Sequence, residues 1–261
     1  MCFAIDAHPP DLPSDLALPP VAGGAAAELL ELTSADGTRF SAALAESPEG
    51  FEPGVVILPD VRGLYRFYVE LAERFAQAGH HAIAIDYFGR TAGAGERDED
   101  FDYTPHVAQT RVEQVQADTA AALDALRERS GVTAAVTVGF CFGGSQSFAA
   151  ATSEELDLDG AVGFYGLLVP RREGAPSPIE GAGDTRCPVL GLFGGADEAI
   201  PPEHVEAFER GLQDAGAPHE IVTYPGAPHS FFDRSYTEHA EASEDAWRRV
   251  LGFLQKTAAR V

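Results

Sequence analysis

The sequence contains a single lysine, Lys256, and no apolar run of about eighteen residues, the length that a membrane-spanning helix requires. Its first six residues lack a basic segment followed by a long apolar one, so no secretory signal is expected. Cations are scarce overall, because 18 Lys and Arg face 41 Asp and Glu, for a formal net charge of −23. A protein this acidic repels phosphate backbones and anionic lipid, so neither a nucleic acid nor a membrane is predicted as a partner.

The three cysteines, Cys2, Cys141 and Cys187, are too few and too far apart for a disulfide framework. Their odd number favours a reducing, cytoplasmic location. Neither a Cys-x-x-Cys nor a His-x-x-x-His spacing occurs, so no metal and no cofactor is expected. The acidic, lysine-poor composition suits either a salt-rich cytoplasm or an arginine-rich genome, and both interpretations remain open.

The chain divides into a short arm and one domain. Residues 1–26 are rich in Pro, Ala, Gly and Asp without an apolar period, which predicts an irregular N-terminal arm. Residues 27–261 are predicted to form a single domain that starts with a hairpin, 27–33 and 38–45, around an Asp-Gly turn. Two long stretches, 89–104 and 169–185, are predicted to be irregular and to carry functional groups, since each follows a strand.

Beyond the hairpin, apolar strands alternate with amphipathic helices. Such alternation predicts an α/β protein with a mostly parallel, doubly wound sheet and helices on both faces. The predicted strands are 54–59, 82–85, 134–140, 160–165, 188–193 and 219–224, and the predicted helices are 65–78, 105–129, 143–152, 202–215 and 240–257.

The sharpest chemical signal is the segment Gly139-Phe140-Cys141-Phe142-Gly143-Gly144, directly after a predicted strand. It has the form of a nucleophile elbow, in which glycines on both sides allow a sharp strand-to-helix turn, here with Cys in place of Ser. Cys141 would then sit at a helix N-terminus, whose dipole favours a thiolate, and the Phe142 N–H would be free to stabilise an oxyanion. The alternative is a buried, inert cysteine in a glycine-rich turn.

An elbow of this kind requires an acid and then a histidine later in the chain. Asp197 follows the strand 188–193 through a glycine-rich loop, and His229 follows the last predicted strand in the segment Pro228-His229-Ser230-Phe231. Cys141, Asp197 and His229 therefore form a candidate catalytic triad. The alternatives are a helix-capping role for Asp197 and a surface turn for His229.

From about residue 27 to its C-terminus the chain resembles the dienelactone hydrolase family, whose members are cysteine-dependent α/β-hydrolases. The resemblance rests on the segments G-F-C-F-G-G, F-G-G-A-D and P-H-S-F in this order. It implies an α/β-hydrolase fold and a Cys-His-Asp triad that hydrolyses an enol-lactone to a keto acid.

The resemblance also implies roles for four further residues. Asp60 holds the place of a family glutamate that pairs with the resting thiol, and the N–H of Val61 would be the second oxyanion donor. Two family arginines hold the substrate carboxylate, and Arg90 fits the first of them. Arg234 lies one residue later than the family pattern for the second. The alternative for both arginines is a solvated surface position.

These observations predict a cofactor-free hydrolase of a small ester or lactone, of the carboxymethylenebutenolide type. The expected partner is a small-molecule substrate, and the oligomeric state, monomer or small homo-oligomer, stays open. Two alternatives also stay open: a broad carboxylesterase or thioesterase that needs no substrate carboxylate, and a non-catalytic binder of small molecules.

Overall fold

The computed structural model describes residues 7–16 and 26–259. Within them the chain forms an eight-stranded sheet in the order β1-β2-β4-β3-β5-β6-β7-β8. The first two strands are antiparallel to their neighbours, and β3 to β8 are parallel. Helices cover both faces, so the predicted mostly parallel, doubly wound α/β sheet is confirmed. The strands are β1 (Glu28–Thr33), β2 (Arg39–Ala45), β3 (Phe51–Leu58), β4 (His80–Ile85), β5 (Ala135–Phe140), β6 (Gly160–Phe164), β7 (Val189–Gly194) and β8 (His219–Tyr224).

The five predicted helices begin and end close to their predicted positions, with one exception described below. The prediction that 89–104 and 169–185 are irregular is wrong in part, because short helices form there at Gly89–Ala92 and Pro178–Gly181. The helices are α1 (Arg66–Gln77), α2 (Gly89–Ala92), α3 (Thr104–Gln109), α4 (Val112–Ser130), α5 (Phe142–Ala150), α6 (Pro178–Gly181), α7 (Pro202–Asp214) and α8 (Ala240–Ala258), with a 3₁₀ turn at Ala182–Asp184. None of the helices in the described ranges is both long and apolar enough to cross a bilayer.

The central strands are apolar throughout because helices cover both of their faces. Alternate residues of β3 show the division: Val55 and Ile57 face one hydrophobic cluster, and Val56 and Leu58 face another. The first cluster contains the apolar sides of α1, α7 and α8, including Trp247, and the second contains that of α4. A sheet buried on both faces leaves only its edges for polar chemistry, which places the functional groups in the loops beyond the strand ends.

The prediction of one long helix over 105–129 is wrong, because the chain breaks between α3 and α4. Thr110 and Arg111 adopt extended backbone conformations, with ψ of 136° and 152°. The Thr110 hydroxyl donates to the carbonyl of His106 at 3.0 Å, and the Gln114 side chain accepts from the Arg111 N–H at 3.0 Å. These side-chain bonds satisfy the backbone groups that the break exposes, a competition that apolar periodicity does not register.

The described part of the predicted arm, residues 7–16, packs against α1 and α8. The indole N–H of Trp247 donates to the Pro10 carbonyl at 3.2 Å, and Arg248 forms a 2.7 Å ion pair with Asp15. Residues 1–6, which include Cys2, and residues 17–25 lie outside the described part of the chain.

Candidate active site

Cys141 lies in the turn between β5 and α5, with a backbone φ of 53° that non-glycine residues rarely adopt. The neighbouring glycines make this turn possible. A Cβ on Gly139 would lie 2.0 Å from the carbonyl oxygen of Gly143, and one on Gly143 would lie 1.9 Å from that of Leu58. The strand, turn and helix therefore have the geometry of a nucleophile elbow, which presents the Cys141 side chain beyond the carboxyl end of the sheet.

Asp197 and His229 reach the same end of the sheet from the loops after β7 and β8. The His229 Nδ1 lies 2.6 Å from the Asp197 Oδ2, and the other carboxylate oxygen accepts the Ala199 N–H at 2.9 Å. The Asp197 side chain is almost fully buried, whereas that of His229 is 26% exposed. This arrangement fixes the imidazole so that Nδ1 donates to the carboxylate and Nε2 is available for chemistry.

The charge environment favours a protonated His229. Burial by itself lowers the pKa of the imidazole, but its hydrogen bonds with Asp197 and Cys141 outweigh burial and raise the pKa to about 10. A histidine bonded on one side to a carboxylate and on the other to a thiol stabilises a thiolate–imidazolium pair. The structure thus brings the three candidate triad residues into one hydrogen-bonded chain.

The sequence analysis did not single out Tyr165, which contacts His229, or Asp233, which is hydrogen-bonded to Tyr165. The ring of Tyr165, which follows β6 at a φ of 38°, has its centroid 5.0 Å from that of the imidazole. The Tyr165 hydroxyl donates at 3.0 Å to the fully buried carboxyl group of Asp233. Tyr165 could have been noticed as the last residue of a predicted strand at the carboxyl edge of the sheet, but the sequence carries no signal for the burial of Asp233.

Burial raises the pKa of Asp233 well above its usual range, and the negative charge of Asp60 raises it further. Asp60 itself follows β3, is completely buried, and accepts the Arg62 N–H at 2.8 Å. The charges of Asp60 and Cys141 both act on Asp233 and on the buried hydroxyl of Tyr87. Asp60 and the partly exposed Cys141 are therefore both close enough to Asp233 and Tyr87 to influence their protonation.

A pocket of about 220 Å³ opens beside Cys141. Val61 and Phe142, the two predicted oxyanion donors, both line it. Within residues 7–16 and 26–259, the backbone hydrogen bonds of the turns and loops do not use their N–H groups. The hydroxyl of Ser145, which also lines the pocket, is already used, because it donates to the Leu167 carbonyl at 2.8 Å. The pocket can hold a small substrate with its carbonyl near the thiol and both N–H groups.

The structure does not bring Arg90 to this pocket. Its guanidinium forms ion pairs with Asp118 at 2.7 Å and with Asp36 at 2.8 Å. Asp118 is buried and also accepts the Ser34 hydroxyl, so the arginine neutralises a carboxylate of the protein itself. The expectation that Arg90 fits the family's first substrate arginine rested on its position after β4, and that position is correct. The sequence carries no signal for the contact with Asp118, which lies 28 residues away in α4.

Arg234 is exposed, and it is not among the residues that line the pocket of Cys141. Its N–H donates to the carboxyl group of the preceding residue, Asp233. Asp233, rather than the arginine one residue later, is therefore the residue whose side chain is buried beneath this site. Two other arginines, Arg171 and Arg172, do line the pocket, and the sequence analysis located their loop but not their role.

The chain is similar to known proteins over most of its length. The model of the dienelactone hydrolase family matches residues 40–258. A Yersinia pestis protein named "Putative carboxymethylenebutenolidase" is 31% identical over 212 residues, which cover 77% of this chain and 77% of that protein. A Saccharolobus solfataricus protein of the same name is 28% identical over 262 residues and covers 85% of this chain and 96% of its own.

Solved structures give the same result for the fold. The Klebsiella pneumoniae structure named "Putative Dienelactone Hydrolase" superposes with a TM-score of 0.75 at 30% identity and covers 87% of this chain and 99% of its own. A dienelactone hydrolase-like promiscuous phosphotriesterase from metagenomic libraries superposes with a TM-score of 0.71 at 24% identity and covers 89% and 99% of the two chains. The second likeness concerns the fold alone.

Proposed function

The chain belongs to the dienelactone hydrolase family, a hydrolase family acting on lactone and ester bonds, and on that premise we propose that it cleaves a small ester or lactone with Cys141 as the nucleophile. His229 is the general base and acid, and Asp197 orients it. The observation that carries the proposal is the hydrogen-bonded sequence Cys141–His229–Asp197 beside a pocket of substrate size.

The first half of the reaction forms a thioester. The Cys141 thiolate attacks the carbonyl carbon, and the electron pair of the C=O bond moves to the oxygen. The N–H groups of Phe142 and Val61 donate to this oxyanion. When the oxyanion collapses, the C–O bond to the leaving group breaks, and the His229 imidazolium gives its proton to the departing oxygen.

The second half returns the free enzyme. Neutral His229 takes a proton from a water molecule, whose oxygen attacks the thioester carbon. Collapse of the second tetrahedral intermediate breaks the C–S bond, so that the acid leaves and the thiolate is restored beside an imidazolium. A lactone opened in this way keeps both halves in one product, and where the leaving oxygen is that of an enol, the product then tautomerises to a keto acid.

Asp60 is proposed to restrain the resting thiol. A buried carboxylate near Cys141 disfavours the thiolate by like-charge repulsion. It thus offsets part of the stabilisation that the His229 imidazolium gives the thiolate, which limits unwanted oxidation before a substrate arrives. Asp60 is one methylene shorter than the glutamate that the family carries at this place.

The proposal also includes the cytoplasmic location suggested by the odd cysteine count.

The test is to trap the acyl-enzyme. Intact-protein mass spectrometry after quenching with a slow ester should show one adduct, and peptide mapping should assign it to Cys141. Cys187 is an internal control, since burial raises the pKa of its thiol to about 12 and makes it a poor nucleophile. Full turnover by Cys141→Ala would exclude the proposed nucleophile, whereas binding of the ester with neither an adduct nor turnover would favour the non-catalytic binder.

A broad carboxylesterase or thioesterase activity is the second candidate function. The observation that favours it is the ion pairing of Arg90 with Asp118 and Asp36, which leaves that guanidinium committed within the protein. A panel of dienelactone, p-nitrophenyl esters and acyl thioesters separates the two candidates, because only the first requires a substrate carboxylate.

A further inference from the structure

The loop between β6 and α6 carries two arginines into the wall of the candidate active-site pocket. Arg171 and Arg172 line the pocket together with Cys141 and the predicted oxyanion donors. In a chain with a formal net charge of −23, two adjacent cations at the nucleophile are an exception to the general distribution of charge. A local positive site of this kind attracts an anionic ligand to the pocket, whereas the acidic remainder of the surface repels such a ligand.

A third arginine approaches the same loop from the N-terminus of α4. The Nη1 atom of Arg111 lies 3.4 Å from the carbonyl oxygen of Glu173, and the Nη1 atom of Arg172 lies 3.3 Å from the same oxygen. Two guanidinium groups therefore converge on one neutral acceptor. Like charges held this close repel each other, and a negative charge beside them would offset that repulsion.

The protein does not supply that charge within its described residues. The Arg172 guanidinium has no carboxylate partner there, and its Nη2 atom is shielded from solvent without an acceptor. Burial lowers the pKa of Arg172, and repulsion by Arg111 lowers it further, with no carboxylate to oppose them. An uncompensated, partly buried cation is costly, and a bound anion would remove that cost.

The loop is packed in place. Gly174 adopts a φ of 72°, and a Cβ there would lie 2.3 Å from the Arg111 Cδ, so the chain passes directly over the Arg111 side chain. At the other end Arg171 donates to the Ala199 carbonyl at 3.4 Å, within the loop that also positions Asp197. Arg171 thus links this loop to the loop that carries Asp197.

We propose that Arg172, with Arg111 behind it, is the specificity-determining cation of this enzyme and binds a carboxylate on the substrate's acyl part. The inference rests on the proposed hydrolysis at Cys141, and it assigns recognition to the loop after β6 instead of to Arg90 or Arg234. A planar guanidinium can hold a carboxylate with two parallel hydrogen bonds, which would orient the scissile carbonyl toward the thiol.

The experiment compares dienelactone, which carries a carboxylate, with its methyl ester, which lacks the charge. For Arg172→Gln we expect the ratio of kcat/KM for the acid to that for the methyl ester to fall about thirtyfold, the equivalent of losing one partner of a desolvated charge pair. Arg172→Lys keeps the charge without the planar fork and should recover part of the ratio. Arg210→Gln, on the exposed face of α7, makes the same change in net charge and should leave the ratio unaltered.

A binding measurement separates this inference from the catalytic proposal. Calorimetric titration of Cys141→Ala with the acid should show binding that weakens about thirtyfold in Cys141→Ala/Arg172→Gln and weakens with added salt. An unchanged ratio and unchanged binding in the Arg172→Gln variants would overturn the inference, as would equal losses for the acid and the methyl ester. If wild-type protein binds the acid in this manner but hydrolyses neither lactone, the catalytic proposal fails and the carboxylate site stands.

Discussion

Two groups of charged residues lie beyond the carboxyl ends of the parallel strands, and their charges are balanced differently. After β4, Arg90 pairs with Asp118 and Asp36, and Arg97 pairs with the buried Asp86 at 2.8 Å. Around the pocket of Cys141, Arg172 faces another arginine and a neutral carbonyl oxygen instead. In the first group carboxylates of the protein pair with both guanidinium groups, whereas in the second the Arg172 guanidinium has no carboxylate partner among the described residues.

This difference shows how an arginine near an active site can be assigned a role. A guanidinium that neutralises a buried carboxylate contributes to the fold, because removing it leaves an unpaired charge. A guanidinium without such a partner has capacity for a ligand. Both groups follow strands of the sheet. Position in the sequence alone therefore could not distinguish the role of Arg90 from that of Arg172.

The largest expected effect concerns the proposed catalytic residues. His229→Ala should lower kcat about 10⁴-fold, because the base, the acid and the stabiliser of the thiolate are lost together. Asp197→Asn should cause a smaller loss. Both are measured by steady-state kinetics, with urea unfolding to confirm that the fold remains. A His229→Ala enzyme with wild-type turnover would remove His229 from the mechanism.

The next effect concerns stability and sharpens the comparison directly. Arg90→Gln should lower the free energy of unfolding by about 3 kcal/mol, since it leaves the buried Asp118 without its cation. The measurement is chemical denaturation, and the double variant Arg90→Gln/Asp118→Asn is the control that should recover most of the loss. If Arg90→Gln instead lowered the acid-to-ester ratio of kcat/KM, Arg90 would be a substrate residue and the comparison would fail.

A third effect is the pH dependence of stability. The pKa of His229 is about 10 in the folded protein and 6.5 when unperturbed, so the folded state binds the proton more tightly. The stabilisation is therefore fully present below pH 6.5 and is lost as the pH rises towards 10. Urea unfolding across this range should show the decline in the wild type and a weaker one in Asp197→Asn. Identical slopes would mean that Asp197 does not hold the imidazolium.

The smallest effect concerns the resting thiol. Asp60→Asn should raise the rate at which iodoacetamide alkylates Cys141 near neutral pH by up to about tenfold, because removal of a nearby negative charge favours the thiolate. Asp233→Asn is the matched control. Burial already raises the pKa of Asp233 well above its usual range, so that its neutral carboxyl resembles an amide. Equal changes in both variants would indicate a packing effect rather than one of charge.

Much of the fold follows from local patterns. Central strands such as β3 and β5 are recognisable because burial on both faces demands continuous apolar residues, and the elbow is recognisable because Gly139 and Gly143 have no room for a Cβ. The break at Thr110 was not predictable, since the apolar period of the α3–α4 region continues across it. Side-chain hydrogen bonds from Thr110 and to Gln114 end one helix and begin the next.

By itself, the sequence determined the α/β class, the elbow at Cys141 and the chain order of the candidate nucleophile, acid and histidine, because each depends on residues adjacent in the chain or at strand ends. Tertiary structure alone decided which charges are neutralised. Asp118 reaches Arg90 from a different helix, and Arg111 reaches the loop of Arg172 from more than sixty residues away. Electrostatic energy depends on distance in space and on exclusion of water, and neither quantity is encoded in local spacing.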